Sequence, residues 1–458
     1  MTGGSDLPNV ELSPAASRAV EAALGAGASA AEAYASRDGG REVRVHGGEV
    51  ESLTAATQTG IGIRAWSGHR VGYAYGTDLS EAGVAALAAR AAEMAAVADE
   101  DEFASPPEPH EIEALAGIDS PGVGEWSAGQ VAELALVVER TALAADPRVV
   151  GVETAVYADS TEQVAIASST GIAAAYETSN CFAYLQALAE GDGSRETGLG
   201  FGLARGPEDL DPEAIGAEGA ERAVSMIGAG KPASRSCPVV LDPTVAASFA
   251  GLIGGALGAR AVQRGRSPFA GRLGDEVAST TFALHDDGRD PDGAASAPFD
   301  GEGVPRRRTA LIEGGALRSY LYDTYTANRE GTSSTGSASR SGYRSLPSVS
   351  ASNLIVAAGD LSTAALLAEA GDGVFVTDVA GLHSGVNPVT GVFSVGASGR
   401  AIRDGALAEP IREFTIAGEL VAMLRAVAAA GSETRWVPFG GSVRTPPLLV
   451  SELSVSGT

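Results

Sequence analysis

Two cysteines, one lysine and five histidines are spread through 458 residues, and each scarcity removes a class of chemistry. Cys181 and Cys237 are too few to staple a chain of this size, and both stand in apolar, strand-like surroundings. They read as buried reduced thiols, not as a disulfide framework. The sole lysine, Lys231, is followed by Pro232, so no GxxxxGK[ST] phosphate loop exists. No uninterrupted apolar run approaches the roughly 18 residues of a bilayer-spanning helix. The opening MTGGSDLPNVELSPAASRAV lacks a basic region followed by an apolar one, so no secretory signal is expected and a cytoplasmic location is. Positive charge is also short. The 32 Lys and Arg face 58 Asp and Glu, a net charge of -26. Such a chain repels phosphate backbones, which argues against a nucleic-acid partner. It has no polybasic cluster to hold it on an anionic membrane.

What is present describes a folding chain. It is 44% hydrophobic and 20% charged, long enough for about two or three domains with a sizeable core. Its 60 glycines are close to twice the usual share of about 7%, which points to many turns, close backbone approaches and β-rich architecture. Residues 14–25 read as a helix. EVRVHGGEVESL and TGIGIRAWSGHRVGYAYG alternate around glycine turns, with Ile61, Ile63 and Ala65 on one face, and predict hairpins. Helices are expected from Ser80, from Ser127 to Ala145 and from Pro212 to Ile227, with a β-meander before the last. The Pro- and Gly-rich run from Ala104 to Trp126 reads as a surface connection. GAGKPASRSCP marks a boundary near residues 228–238. Beyond it come a short strand CPVVLD, a helix, then mostly strands and loops. Leu420, Met423, Leu424 and Val427 mark one late amphipathic helix. The class is α+β with an antiparallel bias.

Candidate chemistry is thin. His110 and Glu111 open like a zinc helix, but Ala114 and Leu115 stand where the second imidazole would fall. His46 and His69 lie in predicted hairpin turns. His285 heads HDDGRD, read as an acidic surface loop. His383 and Ser384 in DVAGLHSGVNPVTG are adjacent and, on a strand, would point to opposite faces, without the strained elbow of a GxSxG hydrolase. The glycines of GLIGGALG make a weak dinucleotide fingerprint. The stretch AGLIGGALGARAVQRGRSPFAGRLG, from Ala250, joins a featureless helix to a polar, specific-looking loop.

Several long segments, in order, carry a resemblance. KPASRSCPVVLDPTVA, GRSPFAGRLGDEVAS, LIEGGALRSYLYDTYTANREGTSSTGSASR, GLHSGVNPVTGVFSVGASGRAIRDGALAEPIREFTIAGEL and GSVRTPPLLVSELSVSG resemble the TldD/PmbA family, also called the modulator of DNA gyrase or U62 peptidase family. The resemblance implies an N-terminal α+β domain over residues 1–232 and a β-rich C-terminal domain over 233–458. In that family the TldD type carries an HExxxH helix just before a loop like SPFAGRLG. Counting back from Ser267, its histidines would fall near Ala250 and Gly255 and its glutamate near Gly251, none of which can hold zinc. The wording of HSGVNPVTGVFSV and TIAGEL is similar to the PmbA (TldE) branch. That implies a metal-free, non-catalytic subunit with no cofactor of its own. Its partner would be a TldD-like, zinc-binding chain in a heterodimer, and its substrates unfolded or leader peptides; separately, a Gly-rich, β-rich cleft would suit an extended substrate docking by strand addition. Arg264, Ser267, Arg272, His383 and Asn387 are the positions expected to line the cleft, with turn chemistry as the competing role. A self-associating peptide-binding scaffold, or an independent hydrolase using His383 or the His285 acids, are the alternatives.

Overall fold

The computed structural model describes residues 11–439 and 441–458; the reading of residues 1–10 as free of a signal lies outside them. The first half contains α1 (Leu12–Gly25), β1 (Ala30–His46), β2 (Glu49–Ser67), β3 (Arg70–Gly76), α2 (Glu81–Val97), α3 (Gly122–Glu125), α4 (Ala128–Ala145), β4 (Val149–Ser168), β5 (Ala173–Gly191), β6 (Ser194–Ala204) and α5 (Pro212–Ser225). Its six strands form one antiparallel sheet in the order β3-β2-β1-β4-β5-β6. Gly47 and Gly48 turn β1 into β2 with φ of 63° and 80°, a left-handed pair that glycine adopts without strain. Ser127 caps α4 in a reciprocal box with Gln130, which fixes the start of that helix.

Alternation then sorts the sheet into two faces. Ala31, Ala33, Ala35, Val43 and Val45 of β1 lie under the helices. Tyr34, Val164 and Ile166 point the other way, onto Phe299 and Tyr343 of the second half. The high glycine content has a local cause here. A Cβ on Gly198 would sit 2.2 Å from Ala223 N, and one on Gly200 2.1 Å from Ile215 O, so α5 can lie against β6 only because both are bare.

The second half opens with β7 (Arg235–Leu241), α6 (Pro243–Ala256) and α7 (Ala259–Gln263). Two further six-stranded sheets follow. One runs Ala406–Glu419, Val392–Arg403, Gly373–Ala380, β7, Leu448–Ser456, Val427–Ala430. The other runs Ala316–Leu317, Arg308–Glu313, Leu284–Asp287, Asn353–Val356, Ser442–Thr445, Arg435–Val437. Each contains a single parallel pairing, β7 with Gly373–Ala380 and Asn353–Val356 with Ser442–Thr445; the rest are antiparallel. α6 shares one apolar core with residues of both sheets, including Leu241, Val376, Leu284 and Leu354. A helix covered on several sides has no need of a polar face.

Three expectations change. The late helix covers only Leu420–Arg425, and Val427 begins a strand, because Ala426 closes the helix in a non-helical conformation. His285 and its acids lie in the strand Leu284–Asp287, not in a surface loop. Asp286 is buried there and accepts bonds from Ser352 N and Oγ at 2.8 and 2.9 Å. The acidic segment that follows is also drawn inward. Asp300 and Glu302 are each 2% exposed, which is tolerable because backbone N–H groups and arginine meet them. Cys181 and Cys237 are free and buried, and burial pushes the Cys181 thiol up to about 12. No helix among the described residues is long and apolar enough to cross a membrane.

Candidate functional site

α6 begins where Asp242 accepts from Thr244 N at 2.9 Å and Pro243 supplies a preset first residue. Phe249, Ala250 and Ile253 are buried in the core between the sheets, and Phe249 meets Phe393 edge-on at 5.1 Å. Gly254 is also pressed against the core, since a Cβ there would be 2.4 Å from Leu354 Cδ1. Gly255 differs. It is exposed, and a Cβ on it would meet nothing within 4 Å. Packing therefore explains why Ala250 and Gly254 are small and leaves Gly255 unexplained. No side chain at Ala250, Gly251 or Gly255 offers a metal a lone pair. Among the described residues no three His, Cys, Asp or Glu side chains converge as a metal-binding group.

The loop after α7 is specific because it is tied down. Gly265 turns the chain at φ 64°, and Ser267 then buries its hydroxyl. Ser267 Oγ donates to Ala256 O at 2.6 Å and accepts from Phe269 N at 3.0 Å, stitching the loop to the end of α6. Tyr320 Oη donates to Phe269 O at 2.6 Å. Arg272 faces Asp275 at 3.6 Å across a half-exposed surface. Asn387 does similar work in a neighbouring turn, its Oδ1 accepting from Val389 N at 2.9 Å and Thr390 N at 3.1 Å. That turn abuts the loop: a Cβ on Gly391 would be 3.2 Å from Pro268, and Gly391 O accepts from Leu420 N at 2.9 Å. Ser267 and Asn387 thus organise two adjoining turns.

His383 is exposed on a one-turn helix, Leu382–Gly385, entered through left-handed Gly381. The segment forms a turn, and Ser384 Oγ donates to Gly381 O at 3.3 Å, not to the imidazole. His285 is paired with nothing acidic at bonding distance; Arg308 Nη2 stands 3.5 Å from its Nδ1. Burial, with Arg308 adding to it, pushes this imidazole down to about 4, so it is neutral at pH 7.

Of the five residues expected in a cleft, Arg264 lines one. It borders a cavity of about 350 Å³ between the ends of β2 and β3, the 99–105 segment, α7 and the helix Thr324–Glu330. Arg64 and Trp66 form part of its wall. Sequence reading passed over both, although the alternation that put Ile61, Ile63 and Ala65 together necessarily puts Arg64 and Trp66 together on the opposite face. An arginine and a tryptophan sharing a sheet face was the available signal.

Comparison with known proteins places this geometry in a family. Three profiles match in chain order: PmbA/TldA metallopeptidase domain 1 over residues 31–95, the central domain over 122–227, and the C-terminal domain over 234–457. The chain is 29% identical to metalloprotease PmbA of Escherichia coli O157:H7, covering 97% of this chain and 96% of that one. It is 27% identical to a metalloprotease TldD homologue of Haemophilus influenzae, covering 87% of each. Among solved structures, a Thermotoga maritima protein described as a candidate modulator of a DNA gyrase superposes with a TM-score of 0.88 at 26% identity, covering 97% of this chain and 99% of the other. TldE of Thermococcus kodakarensis shares the fold with a TM-score of 0.89 at 24% identity, over 97% and 100% of the two chains.

Proposed function

The chain belongs to the PmbA/TldD metallopeptidase family, and from that premise we propose that it is the metal-free, TldE-type subunit of a two-chain peptidase. The observation that carries this reading is the triplet Ala250, Gly251 and Gly255 on α6. A zinc site needs about three nitrogen, sulfur or oxygen side chains, and these three positions supply none. Gly255 is the telling one. A glycine inside a helix costs about 1 kcal/mol relative to alanine, and here no close approach returns that cost.

In this reading the partner is a TldD-type chain. Its zinc, when bound, would supply Lewis acidity toward the scissile carbonyl and an activated water. This chain would contribute a wall of the peptide cavity and the docking surface, with the adjoining turns of Ser267 and Asn387 and the exposed His383 on that surface. Substrates are unfolded or leader peptides, and the complex works in the cytoplasm.

The test is co-expression with a TldD-type subunit, followed by native mass spectrometry, metal analysis and peptide hydrolysis. One zinc per heterodimer, none in the isolated chain, and cleavage only by the pair is the expected result. A stoichiometric metal in the purified single chain, or hydrolysis by it alone, overturns the proposal.

A further inference from the structure

The 350 Å³ cleft at Arg264 has features that the subunit role does not account for. Two of its wall residues carry buried donors without acceptors, Arg64 Nε and Trp66 Nε1. Arg64 is 8% exposed and Trp66 1%. Leaving a buried donor unmade costs about 1–3 kcal/mol, so two together on one cleft need a reason. The Arg64 Nη groups donate to Glu302 at 2.9 Å and to Glu32 at 2.6 Å, and Cζ lies 4.7 Å from the centre of the Trp66 ring. Nε itself has no acceptor among the described residues.

Charge is the second feature. Arg260 and Arg264 both line the cleft with exposed guanidiniums that have no acidic or hydrogen-bond partner among the described residues. Arg329 adds a third cation, 5.9 Å over the Phe103 ring. Four carboxylates also line the cleft: Glu302 pairs with Arg64 and accepts from Thr324 N, Asp323 caps the following helix through Thr326 N, Asp101 accepts from Phe103 N, and Asp99 is the fourth. In a chain of net charge -26, free arginines gathered at one opening mark a place for an anion. Trp66, Val71, Leu346 and Pro347 give the same cleft an apolar wall.

We propose that this cleft binds the carboxyl-terminal residue of a peptide. Its free carboxylate lies between Arg260 and Arg264, an acceptor oxygen of its last amide answers Arg64 Nε and Trp66 Nε1, and an apolar side chain lies against Leu346 and Pro347. The inference rests on the peptide-handling role above and adds to it a subsite that reads the chain end.

Calorimetric titration of the full chain tests it with three hexapeptides: one ending in leucine with a free carboxylate, the same peptide amidated, and an amidated version carrying an internal glutamate. The free acid is expected to bind at least tenfold more tightly than either amide. Arg260→Ala with Arg264→Ala, both on the surface, is expected to abolish that preference without lowering the melting temperature. Trp66→Phe, which keeps a ring and removes the N–H, is expected to weaken the free acid several-fold. Equal binding of acid and amide, equal binding of the glutamate peptide, or indifference to the double arginine variant overturns the proposal. Failure here leaves partner-dependent hydrolysis intact, because that assay needs neither peptide affinity of the isolated chain nor a free carboxylate.

Discussion

Arg64 on β2 reaches Glu302, 238 residues later, at 2.9 Å, and the two seal the junction between the halves of the molecule. Glu32 joins from β1, pairing with Arg64 at 2.6 Å and also with Arg340. All four charges are almost fully out of water. Burial alone would raise the Glu302 carboxyl, but Arg64 and the bonds from Thr324 outweigh it and hold it below its ordinary value. Such a network is costly to break one member at a time, since the survivor is stranded.

Glu302→Ala is therefore expected to destabilise the chain by about 3–5 kcal/mol. It removes the acceptor of Thr324 N as well as one anion of Arg64. Urea denaturation measures the loss, and a change below about 1 kcal/mol would show that the pair is solvated in solution.

Two adjacent glycines on α6 should respond in opposite directions. Gly255→Ala adds a methyl to open space and gains helix propensity, so stability should rise by roughly 0.5–1 kcal/mol. Gly254→Ala drives a methyl to 2.4 Å from Leu354 Cδ1, with Cγ at 3.3 Å, and should cost about 1–3 kcal/mol. Thermal unfolding of the two variants side by side is the measurement; parallel shifts would contradict the packing described for α6.

Ser267→Ala should cost about 1–3 kcal/mol, because it leaves Phe269 N without its acceptor in a buried turn. Amide exchange at Phe269 should quicken along with it. A neutral effect would mean that the hydroxyl, and not the loop geometry, was free for another task.

Glu162 supplies the pH test. It lines a polar cavity of about 290 Å³ between the halves, where burial, with Asp38 nearby, pushes its carboxyl up to about 7 from 4.5. The folded-state pKa lies above the unfolded one, so between pH 4.5 and 7 the unfolded chain loses its proton while the folded chain keeps it. Stability is accordingly greatest at the acid end of that window and falls by about 3 kcal/mol across it, then levels. Glu162→Gln should match the parent near pH 4.5 and exceed it by about that amount at pH 8, read from denaturation midpoints. A pH-independent difference would place Glu162 in water.

Local order was legible where a local rule governs it. The Gly47-Gly48 turn, the Ser127 cap with Gln130 three residues on, and the alternation of β2 all announce themselves within a few residues. The family could be read from motifs strung along the second half. Legibility stopped where partners are distant. HDDGRD looks like a solvated acidic loop because nothing nearby says that Ser352 will hold Asp286. That His383 sits on a one-turn helix entered through left-handed Gly381 is likewise visible only in the fold. The late helix was read two residues too far, into Val427, because strand and helix both bury that valine.

The sequence by itself determined the α+β class through its periodicity, the resemblance to the PmbA/TldD family through its motifs, and the absence of ligand atoms at Ala250, Gly251 and Gly255, since residue chemistry is a property of the chain alone. Tertiary structure decided which small residues of α6 are packed and which is merely bare, and that Ser267 and Asn387 fasten two adjoining turns. It also decided that Arg64 and Trp66 face a cleft with unmet donors. Those outcomes depend on contacts between segments far apart in the chain, whose burial and charge pairing no local spacing encodes.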